Sequence, residues 1–201
     1  MKRNFSLLLI VLVAAVAVSS QVRPPTPRGS QKATVSQTLG TTEVSVTYSR
    51  PAIFGRKVYG DWPKPTSGEA TLDNGNDRPK DAPLVPWGHI WRTGANEATL
   101  FSVNDDVLIN GQPLAAGKYS LHTIPGKDGE WTIIFNSDEG QWGSFSYDSK
   151  KDVLRVKAKA EWLAASTALF TFDIDPDVPA KLGDVASKGT VVLRWEKLRL
   201  P

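Results

Sequence analysis

The sequence predicts an all-β protein: an antiparallel β-sandwich, jelly-roll-like, or a flattened barrel, with very little helix. Three observations carry this expectation. Apolar and polar residues alternate with period two along most of the chain, turn-forming residues separate the alternating runs, and no stretch keeps a helical period. Many short strands at close spacing bury their apolar faces by packing as a sandwich or barrel.

The first segment is not part of that domain. Residues 1–20 begin with Lys2 and Arg3, continue with an apolar run from Leu7 to Val18, and end in small residues, the pattern of a secretory signal peptide. Twelve apolar residues fall short of the roughly 20 that a spanning helix needs. Cleavage fits after Ala17 or after Ser20, and periplasmic or secreted localisation follows, with no membrane span once the signal is removed. Without residues 1–20 the chain has 22 basic and 21 acidic residues, so a net charge of +3 falls to +1. No Lys/Arg-rich run remains, which argues against nucleic acid as a partner. The absence of cysteine excludes disulfides and thiol catalysis.

Residues 21–32, with three prolines in a polar setting, read as an extended tether. A single domain is expected over 33–201, about 170 residues, enough to bury roughly 70% of its extended-chain surface. Its strands follow in order. Val44, Val46 and Tyr48 alternate with Ser45, Thr47 and Ser49. Residues 61–83 hold four prolines and almost nothing to bury, and read as a long surface loop, an insertion rather than a lid. A strand from Ile90 to Thr93, a relaxation at Gly94-Ala95 and a second strand from Ala98 to Val103 come next. Tyr119 and Leu121 alternate with Ser120 and His122, and Trp131, Ile133 and Phe135 with Thr132 and Asn136. Leu154, Val156, Ala158, Ala160 and Trp162 share one face of a later strand; Phe170, Phe172 and Ile174, then Val191, Leu193 and Trp195, mark the last two. Turns are expected at Asn110-Gly111, Ala116-Gly117, Gly126–Gly129 and Asp148–Lys151.

Several of these blocks together resemble domain-of-unknown-function family 2911, a family of exported bacterial proteins. They are SRPAIFGRKVYG (49–60), LVPWGHIWRTGANEAT (84–99), LAAGKYSLHTIPG (114–126), EWTIIFNSD (130–138), QWGSFSYDSKKDVLRVK (141–157) and VVLRWEKLRLP (191–201). The resemblance covers nearly all of the chain after the signal; the 61–83 insert departs from the family's compact form. It implies no activity, so any chemistry has to come from the residues.

The densest polar cluster is RTGANE. Arg92 supplies a planar fork of donors, Glu97 accepts and Asn96 does both, a set that can hold a polar or anionic ligand. The same trio can instead close on itself as a brace. Arg50 starts on the inner face of its strand by alternation, and His122 can act as base, donor or ligand. Arg50, Arg92, Asn96, Glu97 and His122 are therefore the candidate ligand-binding residues. His89 reads as an exposed strand-entry residue. No catalytic residue is assigned, no metal site is expected because the two histidines lie far apart with no zinc motif, and no cofactor fingerprint occurs. Glu97 with Asp105 or Asp106 could form a glycosidase-like pair, though adjacent aspartates are more often turn residues. Trp131, Trp162 and Trp195 fall on apolar strand faces, which leaves Trp62, Trp87 and Trp142 as candidates for stacking on a sugar.

Three readings follow: an exported protein binding a small polar or anionic ligand such as a glycan or envelope fragment; a hydrolase using Glu97 and His122 as acid and base; or a structural envelope protein in which RTGANE is an internal brace.

Overall fold

In the computed structural model, residues 26–62 and 81–201 are described. The expected signal segment 1–20, the first part of the expected tether (21–25) and most of the expected 61–83 loop lie outside them. Twelve strands follow one another: β1 (Gln31–Leu39), β2 (Thr42–Arg50), β3 (Tyr59–Gly60), β4 (Val85–Pro86), β5 (Thr99–Val103), β6 (Val107–Ile109), β7 (Gln112–Leu114), β8 (Gly117–Ile124), β9 (Glu130–Asn136), β10 (Asp152–Lys159), β11 (Glu161–Pro176) and β12 (Gly189–Leu200). The only helical element among the described residues is a single 3-10 turn, Ser149–Lys151, whose start is capped by the Asp148 carboxylate. Among the described residues no helix is long and apolar enough to cross a membrane.

Six strands form one antiparallel sheet in the order β1-β2-β5-β8-β9-β10, and β11 pairs with β12 as a long hairpin. The hairpin lies on one face of the sheet, and this is the sandwich; no sheet closes into a barrel. The expected alternation sets the inner face. Val46 pairs with Phe101 and Phe101 with Tyr119, while Leu121 pairs with Phe135 and Phe135 with Leu154. Phe170, Phe172, Leu193 and Trp195, all buried, close over them from the hairpin, and Leu154 is partly buried against the same core. Tyr48 ties the layers, since its hydroxyl accepts from the Phe172 backbone N–H at 3.0 Å.

Turn chemistry explains the connections. Asn110 and Gly111, with φ of 49° and 79°, supply the two positive φ values that a tight hairpin between β6 and β7 needs. At the β8–β9 turn a Cβ on Gly126 would lie 1.8 Å from the Glu130 carbonyl oxygen, so only glycine fits.

Two expected boundaries move. β1 begins at Gln31, so the tether over 21–32 gives way to strand two residues early. The run from Leu154 to Trp162 is not one strand, because the chain breaks at Ala160, whose backbone N–H donates to the Gly129 carbonyl, and restarts as β11. Trp162 is consequently 56% exposed rather than core, while Trp131 and Trp195 are buried as expected.

Candidate functional site

The RTGANE stretch is a bulge within the sheet. Trp91 still pairs with Thr123 through two backbone bonds of 2.8 and 2.9 Å, and β5 resumes pairing with β8 at Thr99. Between them the backbone turns out and returns, closed by Thr99 N–H on the Arg92 carbonyl at 3.1 Å. Thr93 and Asn96 take φ of 54° and 59°. A β-branched residue in that region is costly unless its surroundings hold it there. Here the Thr93 hydroxyl sits 3.2 Å from the Trp91 carbonyl and 3.1 Å from the Thr123 hydroxyl, and the Thr93 carbonyl accepts from Thr99 Oγ1 at 2.6 Å. A Cβ on Gly94 would meet Ser49 O and Thr99 Oγ1 at 3.1 Å. Asn96 tolerates the left-handed backbone and donates its amide to Ser30 O at 2.9 Å.

The five candidate residues do not converge. Arg50 stays on the inner face, as its alternation implied, and spends its guanidinium on Phe170 O and Thr171 Oγ1 at 2.9 and 2.7 Å. His122 lies on the opposite face, fully buried, with Nε2 3.2 Å from Ser120 Oγ and its ring edge-on to Tyr147 at 5.0 Å. Arg92 stands across from His122 on that same outer face, because the Trp91–Thr123 pairing puts residues 92 and 122 in register. Asn96 and Glu97 occupy the sheet's edge of the bulge, where Glu97 pairs with Arg28 at 2.6 Å and Lys32 at 4.0 Å rather than with Arg92. A single pocket of all five is therefore corrected to three separate placements, since strand alternation and the bulge send them in different directions.

Other expectations also shift. His89 is buried, not exposed, with the Trp62 ring packed 5.6 Å away. The carboxylate pair fails on distance. Asp105 accepts from Thr42 and Asp106 from the Ala116 N–H in the turn after β5, so the length of β5 separates them from Glu97, on the order of 20 Å.

What sequence reasoning missed is the flap formed by residues 141–148. It pairs with the bulge through Ala98 N–H to Gln141 O (3.0 Å) and Gly143 N–H to Asn96 O (2.9 Å), and lies over the outer face of β8 and β9. Beneath it is a buried polar layer centred on Asn136. The Asn136 amide donates to Asp148 O at 3.0 Å and Asp152 Oδ1 at 2.7 Å, and its Oδ1 accepts from Asp138 N–H and Gln141 Nε2. Tyr147 donates to Asp152 Oδ2 at 2.7 Å while Arg155 donates to the same oxygen at 2.8 Å. Burial, then the Asp152 hydrogen bond and charge, push the Tyr147 phenol far above its ordinary pKa, so it remains a donor. The available signal was that QWGSFSYD breaks the alternation while keeping three aromatic residues.

The flap's outer surface differs in character. Trp142 and Phe145 are 54% and 55% exposed, and the Arg28 guanidinium sits 5.3 Å over the Trp142 ring. Trp142 bridges to Glu97 through the backbone. Burial works to raise the Glu97 pKa, but the Arg28 hydrogen bond, a backbone N–H and the Lys32 and Arg28 charges outweigh it, so the carboxyl titrates below its ordinary value. The result is an edge carrying two cations, one anion and two exposed aromatic faces. Among the described residues no group of three His, Cys, Asp or Glu side chains is placed to hold a metal ion. Ser120 and His122 have the contact of a nucleophile and base, and both are fully buried.

Fold and site together define a two-layer antiparallel sandwich with a flap-covered polar layer and an aromatic, charged edge. The family model described as "Protein of unknown function (DUF2911)" matches residues 30–201, and the chain belongs to that family. No curated protein and no solved structure matches the chain.

Proposed function

We propose that this is an exported protein that binds a small polar ligand, a glycan or envelope fragment, on the edge formed by Arg28, Lys32, Glu97, Trp142 and Phe145. The observation that carries the reading is Trp142, a large aromatic ring left more than half exposed and flanked by Arg28 and Glu97. An exposed aromatic face stacks on the apolar face of a sugar ring, a carboxylate accepts from paired hydroxyls, and the arginine and lysine suit acidic substituents. The brace reading accounts for Thr93, Gly94 and Asn96 but leaves an exposed tryptophan and phenylalanine without a purpose. The hydrolase reading has little support, because Glu97 is held by Arg28 at the edge whereas His122 is buried beside Tyr147. Export rests on the 1–20 segment.

Calorimetric titration of residues 21–201 with neutral and acidic oligosaccharides tests binding. Trp142→Ala should abolish it with the melting temperature nearly unchanged, and Glu97→Gln should weaken it. Binding that survives Trp142→Ala, or no binding by any oligosaccharide, refutes the edge assignment. Mass spectrometry of the native N-terminus tests export separately: a terminus after Ala17 or Ser20 is expected, and an intact Met1 in the cytoplasm refutes it.

A further inference from the structure

The arm that precedes β1, residues 26–30, lies across the Trp142 edge and is held there by side chains of the bulge and the flap. Arg28 Nη1 donates to Glu97 Oε1 at 2.6 Å, and its guanidinium carbon stands 5.3 Å over the Trp142 ring. Two residues on, the Ser30 carbonyl accepts from the Asn96 amide at 2.9 Å, which Asn96 presents from a left-handed backbone with φ of 59°. Lys32 Nζ lies 4.0 Å from the same Glu97 oxygen, so two cations face one carboxylate. The second oxygen of that carboxylate, Oε2, is buried and has no hydrogen-bond partner among the described residues. None of the contacts that hold the arm is strong. Arg28 and Glu97 both keep solvent contact, and ion pairs of that kind contribute little because water solvates them and salt screens them. The arm is therefore a cover that a ligand can lift.

We propose that Arg28 makes this edge selective for acidic over neutral glycans, acting as a strap that the ligand has to lift; the inference rests on the reading of the edge as a glycan site. A sugar whose hydroxyls reach Glu97, and whose ring lies on the indole face that Arg28 covers, takes both contacts away from the guanidinium. When the sugar is neutral, Arg28 returns to water and its lost contacts are subtracted from the binding. When the sugar carries a carboxylate, the planar guanidinium fork closes on that group through two parallel N–H bonds, and the loss is recovered. Glu97 meanwhile keeps Lys32 nearby and gains hydroxyl donors, which Oε2 lacks in the closed arrangement. With an acidic ligand in place two cations face two carboxylates, so the added acid does not leave the edge with a net negative charge. The same side chain thus opposes a neutral sugar and favours an acidic one.

Tetragalacturonate and its full methyl ester share their rings and differ in charge, and the test titrates each calorimetrically into residues 21–201 at low salt. The acid should bind about tenfold tighter than the ester or more, and added salt should narrow the gap. Arg28→Ala, a truncation in the exposed arm ahead of the first strand, should weaken the acid and tighten the ester, so that the two affinities approach each other. Tryptic cleavage after Arg28, followed by mass spectrometry, reads the strap directly: the ester should speed it by lifting the arm, and the acid should slow it by engaging Arg28 again. Equal affinities in the wild type, an Arg28→Ala variant that weakens both ligands alike or changes neither, or a cleavage rate that responds to neither, overturns the strap and leaves the edge standing. Failure of both ligands to bind either protein refutes the edge as a glycan site, and this proposal with it.

Discussion

Replacing Asn136 with alanine removes four hydrogen bonds from a fully buried position and strands their partners under the flap. The bond to Asp152 is charge-assisted and short, and such bonds contribute about 1.5–3 kcal/mol, against about 1 kcal/mol for each neutral one. Because the four share one side chain and relax together, they do not add fully, and a net loss of about 3–5 kcal/mol is expected. That is a large fraction of the stability of an ordinary domain, roughly 5–15 kcal/mol. For a domain of this size it corresponds to a fall in melting temperature of roughly 10–15 °C. Thermal and urea unfolding followed by circular dichroism measure the loss, and limited proteolysis should show new cleavage within 138–148, since Asn136 fastens both ends of that segment. Asn136→Asp sharpens the case. It sets a second carboxylate against Asp152, which raises the pKa of the pair, so this variant alone should regain stability as the pH falls and one of them takes up a proton. A loss below about 1 kcal/mol for Asn136→Ala, with the flap as protease-resistant as before, would mean that water replaces the network and the reasoning fails.

Three further changes test other parts of the structure. Gly126→Ala drives a methyl group into the Glu130 carbonyl and should destabilise by about 2–4 kcal/mol in urea unfolding, or block folding outright; a neutral result would show that the β8–β9 turn rearranges freely. Arg50→Ala should cost about 1–3 kcal/mol through its lost bonds to β11 without affecting binding at the Trp142 edge, and an altered ligand affinity would contradict the placement of Arg50 on the opposite face. Glu97 has a lowered folded-state pKa, so its contribution is present above the unfolded carboxylate value and lost as the pH falls through the lower folded value. Residues 26–32 should accordingly stay docked through the ordinary carboxylate range and release only below it; the indole resonance of Trp142 reports this, and Glu97→Gln should leave that segment without the acid transition.

Most of the sheet was readable because alternation is a local property. Val44, Val46 and Tyr48 identify the inner face from one strand alone, and the same parity sent Arg50 inward, where it finds a carbonyl instead of an anion. The Asn110-Gly111 hairpin was equally local. The candidate site was not, because its contacts join segments far apart in the chain: Glu97 meets Arg28 across 69 residues, and the flap meets the bulge from more than forty residues downstream. Alternation predicts a direction for each side chain but not which loop will cover it, so His122 was recognised while its cover, Tyr147, was not. It also assumes an unbroken strand. Ala160 interrupts one, and Trp162 emerges on the surface as a result. His89 failed for a related reason, since it is buried by tertiary packing, with the Trp62 ring among its neighbours.

The hairpin that completes the sandwich follows every strand of the six-stranded sheet in the sequence, and this order constrains how the molecule reaches its native state. Until Phe170, Phe172, Leu193 and Trp195 emerge, the sheet before them presents an uncovered apolar face. The tie between Tyr48 and Phe172 spans 124 residues, so the ends of the domain must meet before the interior is sealed. Contacts of such separation slow folding and prolong the lifetime of sticky intermediates. A chain stopped before residue 161 should therefore aggregate rather than fold, and the sheet should stay unfolded until the hairpin has been made.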